Sequence, residues 1–149
     1  MFIKYPHLER FGTDEVDGIN VGTCHVFPKI DGTNASVWMD EGLMRFGSRN
    51  RELTRQDDNA GFASWAWEQR ALRALLLRHP DLRLYGEWLV PHSLKTYRED
   101  AWRKFYVFDV MHADGTFLNY DAYSDLLSEF GVDFIPCMTK AINPTYEVL

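Results

Sequence analysis

The stretch 28-PKIDGTNASVW-38 sets Lys29 just ahead of Asp31-Gly32, where one strand is expected to end and another to begin. A lysine amine is a strong nucleophile only when deprotonated, and free lysine titrates near ~10.4. Burial and neighbouring cations lower that value. A nucleophilic Lys29 therefore wants a rigid element, partial desolvation and a nearby cation, and a strand end supplies the first two. The turn brings backbone N–H groups close, and Asn34 adds an amide that both donates and accepts. The alternative is a solvated charge beside a turn.

Three other stretches carry groups that suit the same cleft. In 47-GSRNRE-52, Arg49 ends a strand, and its guanidinium can grip a ribose or phosphate through paired donors. Otherwise it is a surface arginine in a charged loop. In 85-YGEWLVPH-92, Glu87 interrupts an apolar strand, where an unpaired carboxylate is costly. It either pairs with Arg49 or Lys29, or binds a sugar hydroxyl or a metal-bound water. In 105-FYVFDVM-111, alternation sends Phe105 and Val107 to one face, Tyr106 and Phe108 to the other. One face is core. The other can offer a ring for a nucleobase, worth ~1–3 kcal/mol per stacked base.

The elements that must position these groups read as an antiparallel-rich α+β domain with one longer and one short helix. Residues 22–29, 35–40 and 43–49 form three strands of a meander, turning at Asp31-Gly32 and Glu41-Gly42. A helix spans Phe62 to Arg78, capped by acceptors from Asp57, Asp58 and Asn59 and stopped by His79-Pro80. Residues 82–90 and 104–111 are strands, the second central in a sheet. A short helix over Tyr120 to Phe130 ends at Gly131, and 132–138 is a last strand limited by Pro136.

The chain has 149 residues, 46% of them hydrophobic and 15% aromatic, which suits one domain, 1–149, with a real core. A net charge of -6 argues against a protein that coats nucleic acid by bulk charge. Two basic clusters, Arg45/Arg49/Arg51/Arg55 and Lys95/Arg98/Arg103/Lys104, still allow a local path for a phosphate backbone, or form a solvated mixed-charge surface. Cys24 and Cys137 have no metal-ligand spacing and read as reduced thiols, which fits a cytoplasmic protein. The opening residues form no signal peptide, and no segment approaches the ~20 apolar residues of a membrane span.

Taken in order, KIDGTN, SRNRE, GEW and FYVFDV, together with the opening MFIKYPHLE, resemble the nucleotidyltransferase domain of covalent ligases. The likeness is to the T4 RNA ligase 2 family and runs from Met1 to about Asp121. KxDG alone recurs by chance, whereas the ordered set is specific. The resemblance implies an ATP-grasp-like nucleotidyltransferase fold and a reaction in three steps. Lysine captures AMP from ATP, AMP passes to a 5′-phosphate, and a 3′-hydroxyl displaces it to seal an RNA nick, as in RNA repair. DNA is an alternative substrate, and DNA ligases and GTP-using capping enzymes share the lysine motif. By this likeness Lys29 is the nucleophile, Lys29, Ile30, Asp31, Gly32 and Asn34 bind the nucleotide, and Asn34 lines its phosphate side. Arg49 and Glu87 hold the ribose, Phe108 stacks on adenine, and Glu87 reaches Mg²⁺ or Mn²⁺ through water.

After Phe108, the later motif with a metal-associated glutamate and the late Lys-x-Lys pair of that family are not found. Lys140 stands alone, and Glu147 lies two residues from the last. The expectation is a nucleotidyltransferase domain without its C-terminal part. It is a fragment, a site completed by a second subunit, or a non-catalytic nucleotide-binding or nucleic-acid-binding domain. With fewer cations around the triphosphate, self-adenylation by this chain alone is expected to be slow or absent. Normal turnover would mean that Arg51, Lys95, Arg98 or Lys104 substitutes for the missing lysines.

Overall fold

The computed structural model describes residues 1–10, 13–91 and 96–145. Lys95 and Glu147, both considered above, lie outside these residues. The strands are β1 (Thr23–Val26), β2 (Thr33–Asp40), β3 (Leu43–Gly47), β4 (Leu82–Trp88), β5 (Phe105–His112) and β6 (Thr139–Ile142). The helices are α1 (Phe62–Trp67), α2 (Arg70–Arg78) and α3 (Tyr120–Phe130). Contacts group the chain into two compact units. One holds Met1–Lys4 and Ile30–Ile135, the other Tyr5–Lys29 and Pro136–Leu149.

The larger unit is built on an antiparallel sheet of order β3-β2-β4-β5. β2 and β3 meet through Glu41-Gly42, whose φ angles of 50° and 80° are those of a two-residue primed turn. That turn matches the strands' twist, and glycine adopts its second position without strain. Alternation along the strands then separates two faces. Ala35 and Val37 of β2, Leu82, Leu84 and Trp88 of β4, and Val107 and Val110 of β5 are buried with Phe62, Leu72, Leu75, Leu76 and Leu127 of the helices. Phe62 anchors this core, its ring 5.1 Å from Phe105 and 5.6 Å from Trp88. Burying one such side chain is worth about 1.5–3 kcal/mol. Trp88 Nε1 satisfies its donor on Ala60 O at 3.1 Å.

The opposite face carries Asn34, Ser36 and Trp38 from β2, Arg83, Tyr85 and Glu87 from β4, and Tyr106 and Phe108 from β5. Met1–Lys4 lies at one end of it. Phe2 packs 6.0 Å from the Trp38 ring, and Tyr85 Oη donates to Ile3 O at 2.7 Å. In the smaller unit β1 and β6 pair antiparallel, Cys24 opposite Ala141 and Val26 opposite Thr139. Met138 N continues the ladder by donating to Val26 O at 2.8 Å. Among the described residues no helix is long and apolar enough to cross a membrane.

Four expectations change. The strand over 104–111, expected to be central, is the end strand of the order β3-β2-β4-β5, its apolar run covered on one face by the helices rather than flanked by a further strand. The meander over 22–49 is only the β2–β3 hairpin, because β1 pairs with β6. Pro28 has no N–H to give a ladder, and the N–H groups of Asp31 and Gly32 go to the side chains of Tyr97 and Glu87. The helix over 62–78 breaks at Gln69, whose ψ of 105° is extended. Gln69 Nε2 and Arg73 Nη2 donate to Trp65 O and Trp67 O, so side chains satisfy carbonyls that a continuous helix would have used. Its three expected capping acceptors also divide. Asp58 accepts from Gly61 N and Ser64 Oγ near the helix start, Asp57 pairs with Arg51, and Asn59 turns to β2. The strand over 132–138 reduces to one parallel bridge, Val107 to Phe134, before Pro136 stops it. α3 runs Tyr120–Phe130 and ends at Gly131, as expected, and the structure adds a cap at its start, Asn119 Oδ1 accepting from Ala122 N at 2.9 Å.

Candidate active site

The residues from Ile30 to Asn34 run into β2 and meet the end of β4. Gly32 N donates to Glu87 Oε1 at 3.3 Å, and Asn34 stands directly opposite Glu87 in the ladder. Gly32 has to be glycine for packing reasons. A Cβ there would run into Trp88 O and sit 3.1 Å from Leu89 Cα, both backbone atoms that cannot step aside. The contact between turn and carboxylate therefore follows from how closely two backbones approach.

Asn34 is fixed by its backbone. Asn59 Nδ2 donates to Asn34 O at 3.2 Å, and Thr33 Oγ1 donates to Asn59 Oδ1 at 2.9 Å. The Asn34 side chain makes no hydrogen bond among the described residues, so its amide is open to a ligand.

On β5, Tyr106 sits opposite Glu87, and the pairing slips between Tyr85 and Gly86. Gly86 pairs with Val107 and Tyr85 with Asp109, which leaves Phe108 as the extra residue of a bulge. Phe108 is half-buried on the same face as Glu87 and Asn34. The alternation expected for 105–108 holds, with Phe105 and Val107 in the core. Burial pushes the Tyr106 hydroxyl above the usual tyrosine range, and Asp133 and Asp100 push it the same way. It stays protonated and donates to Ala101 O at 2.9 Å.

Arg49 lies in a tight turn after β3, closed by Ser48 N donating to Arg51 O at 2.9 Å. Two of its basic neighbours are committed: Arg45 pairs with Glu52 at 3.3 Å, and Arg51 forks onto Asp57. Arg49 is exposed and makes no hydrogen bond or ion pair among the described residues. In the second basic cluster Arg98 pairs with Asp100 at 3.0 Å.

Lys29 is the last residue of the smaller unit's first segment and is bonded to Ile30, the first of the larger unit's second segment. It lies beyond the end of β1 and is exposed, where partial desolvation at a strand end was expected. The strand ends early because Pro28 cannot extend a ladder. Ile30, Asp31 and Gly32 are half-buried.

Sequence reasoning overlooked two residues. Asn59 reads as a helix cap, yet it locks β2. Tyr97 sits in a basic stretch between Lys95 and Arg98, yet its hydroxyl accepts from Asp31 N at 2.9 Å. The signal for Tyr97 was an aromatic residue within a charged segment that also contains Trp102.

The sequence matches the profile of the RNA ligase family over residues 22–147. No curated protein matches significantly. Solved structures with the same fold include Naegleria gruberi RNA ligase. One variant of it, solved with ATP and Mn, aligns at TM-score 0.73 and 20% identity over 97% of this chain and 46% of that one. The same enzyme with pyrophosphate aligns at TM-score 0.67 and 21% identity, covering 87% and 40%. Another variant, with AMP and Mn, gives 0.68 and 20%, covering 89% and 41%. The chain thus spans less than half the length of these structures.

Proposed function

The chain belongs to the RNA ligase family, and we propose that it is an ATP-dependent ligase of the T4 RNA ligase 2 type acting through a lysine-linked AMP. The observation that carries this reading is the junction of turn and carboxylate. Gly32 N bonds Glu87, Asn34 faces Glu87, and both follow Lys29 within five residues of chain.

In this reading Lys29 Nζ attacks the α-phosphorus of ATP. A P–N bond forms, the bond to the β-phosphate oxygen breaks, and pyrophosphate leaves. The AMP then passes to a 5′-phosphate, the P–N bond breaking as the new P–O–P linkage forms. A 3′-hydroxyl finally attacks that 5′-phosphorus and releases AMP. Glu87 and Arg49 hold ribose hydroxyls, and Phe108 stacks on the adenine. Holding base and sugar is what makes in-line attack frequent, since oriented neighbours can contribute about 7–11 kcal/mol to a barrier.

Among the described residues no group of three His, Cys, Asp or Glu side chains is arranged to hold a metal ion. The donor set fits Mg²⁺ or Mn²⁺ held mainly by substrate phosphates and water, with Glu87 as an outer contact. Such an ion neutralises phosphate charge and the developing pyrophosphate.

A second reading, nucleotide or nucleic-acid binding without transfer, is favoured by the exposure of Lys29. Mass spectrometry after incubation with ATP and Mg²⁺ separates the two. The ligase reading expects an AMP adduct on Lys29 that accumulates slowly in this chain alone and vanishes in Lys29→Ala. An adduct that persists in that variant overturns it, and no adduct even on prolonged incubation decides for binding without transfer. A parallel incubation with GTP tests the capping-type alternative, and a nicked RNA or DNA duplex tests the substrate.

A further inference from the structure

We propose that Tyr97 is a positioning residue for the nucleotide-accepting loop, its hydroxyl oxygen fixing the backbone that follows Lys29. The proposal rests on the lysine-AMP reading above. Asp31 N donates to Tyr97 Oη at 2.9 Å, across 66 residues of sequence. The next N–H, that of Gly32, goes to Glu87. Two successive backbone donors are therefore held by side chains from two different places. A buried backbone donor is satisfied somewhere, and here the choice of partner determines the path of the loop.

Tyr97 is itself held. Its ring meets Trp102 edge to face, centroids 5.2 Å apart at 85°. Ala101 O accepts from Tyr106 Oη on β5. Arg103 N donates to Leu89 O at 2.8 Å, and Leu89 N to Lys104 O at 2.9 Å. The segment from Tyr97 to Lys104 is thus tied to the end of β4 and the start of β5. A tyrosine has only two side-chain torsions, so a fixed ring places its oxygen closely. That oxygen accepts from Asp31, and its own O–H has no acceptor among the described residues.

Removing the hydroxyl frees Asp31 N to bond water, and the loop carrying Lys29 samples more directions. Glu87, Arg49 and Phe108 would still bind nucleotide. The defect should appear in the rate of phosphorus capture at saturating ATP, because in-line geometry is what the loop supplies.

The test is Tyr97→Phe in the full chain, which keeps the ring against Trp102. Adduct formation at saturating ATP should slow by about ten- to a hundredfold, with the half-saturating ATP concentration within about threefold of wild type. Amide exchange at Asp31 should accelerate, and the melting temperature should hold to within about 2 °C. A wild-type rate or unchanged Asp31 exchange overturns the proposal. So does a rise in half-saturating ATP that accounts for the slowing, which would make Tyr97 a ligand contact. A large fall in melting temperature overturns it in favour of a structural role. If wild type forms no adduct, the ligase reading fails by itself. Asp31 exchange then decides Tyr97 alone: faster in the variant supports the hold on the loop, and unchanged refutes it.

Discussion

Gly32 and Glu87 are joined by a hydrogen bond from the Gly32 N–H to the Glu87 carboxylate at 3.3 Å. The contact links the segment leaving Lys29 to the strand that carries the carboxylate. It exists because β2 and β4 approach so closely that a side chain at position 32 would strike Trp88 and Leu89.

Gly32→Ala should therefore act on stability and site together. The added methyl meets backbone, so the strand ends must part, at a cost of about 1–3 kcal/mol. Urea unfolding should show a lower midpoint. Adduct formation should fall more than the unfolded fraction explains. A variant as stable and as active as wild type would contradict the close approach.

Glu87→Gln keeps the shape and removes the charge. A hydrogen bond to a charged group is worth about 1.5–3 kcal/mol, so nucleotide affinity should drop about tenfold or more. Calorimetry in the Lys29→Ala background, where no adduct forms, measures binding alone. Equal affinities would remove Glu87 from the ribose contact.

Phe108→Leu retains apolar bulk and loses the ring. Stacking contributes ~1–3 kcal/mol per base, so ATP binding should weaken within that range. Phe108 is half-buried at a bulge, so the melting temperature should change little. Phe108→Trp should restore binding. Loss of binding in the tryptophan variant as well would point to packing instead of stacking.

The Arg51–Asp57 pair gives a pH signature. The Arg51 hydrogen bond holds the Asp57 carboxyl below its ordinary value of 3.8. A carboxyl depressed on folding adds stability above its unfolded pKa and loses it as pH falls through the folded one. The stability advantage of wild type over Asp57→Asn should therefore be full near neutrality and shrink below about pH 4. Thermal melts across that range check it. A constant difference at every pH would mean that the two side chains do not pair in solution.

Much of the site was legible because its signals are local. Alternation over 105–108 correctly separated the core residues Phe105 and Val107 from Tyr106 and Phe108. Glu87 stands out in an apolar strand because a half-buried carboxylate needs donors, and Gly32 N, a partner the sequence did not indicate, is one of them. Tyr97 and Asn59 escaped because each serves a partner far along the chain. An aromatic residue in a charged segment marks Tyr97 as unusual, but neither neighbourhood says which distant backbone the residue will hold.

The sequence by itself determined what a few adjacent residues can decide. The Glu41-Gly42 turn, the Gly131 stop of α3 and the two-sided character of β5 are of this kind, because torsional preference and side-chain period act over a handful of positions. Only the tertiary structure decided that β1 joins β6, that the helix breaks at Gln69, and that Asp31 and Gly32 give their N–H groups to Tyr97 and Glu87. Those outcomes are choices among competing partners for the same backbone donors and acceptors. The competition is settled by which distant groups the packed chain brings within hydrogen-bonding reach.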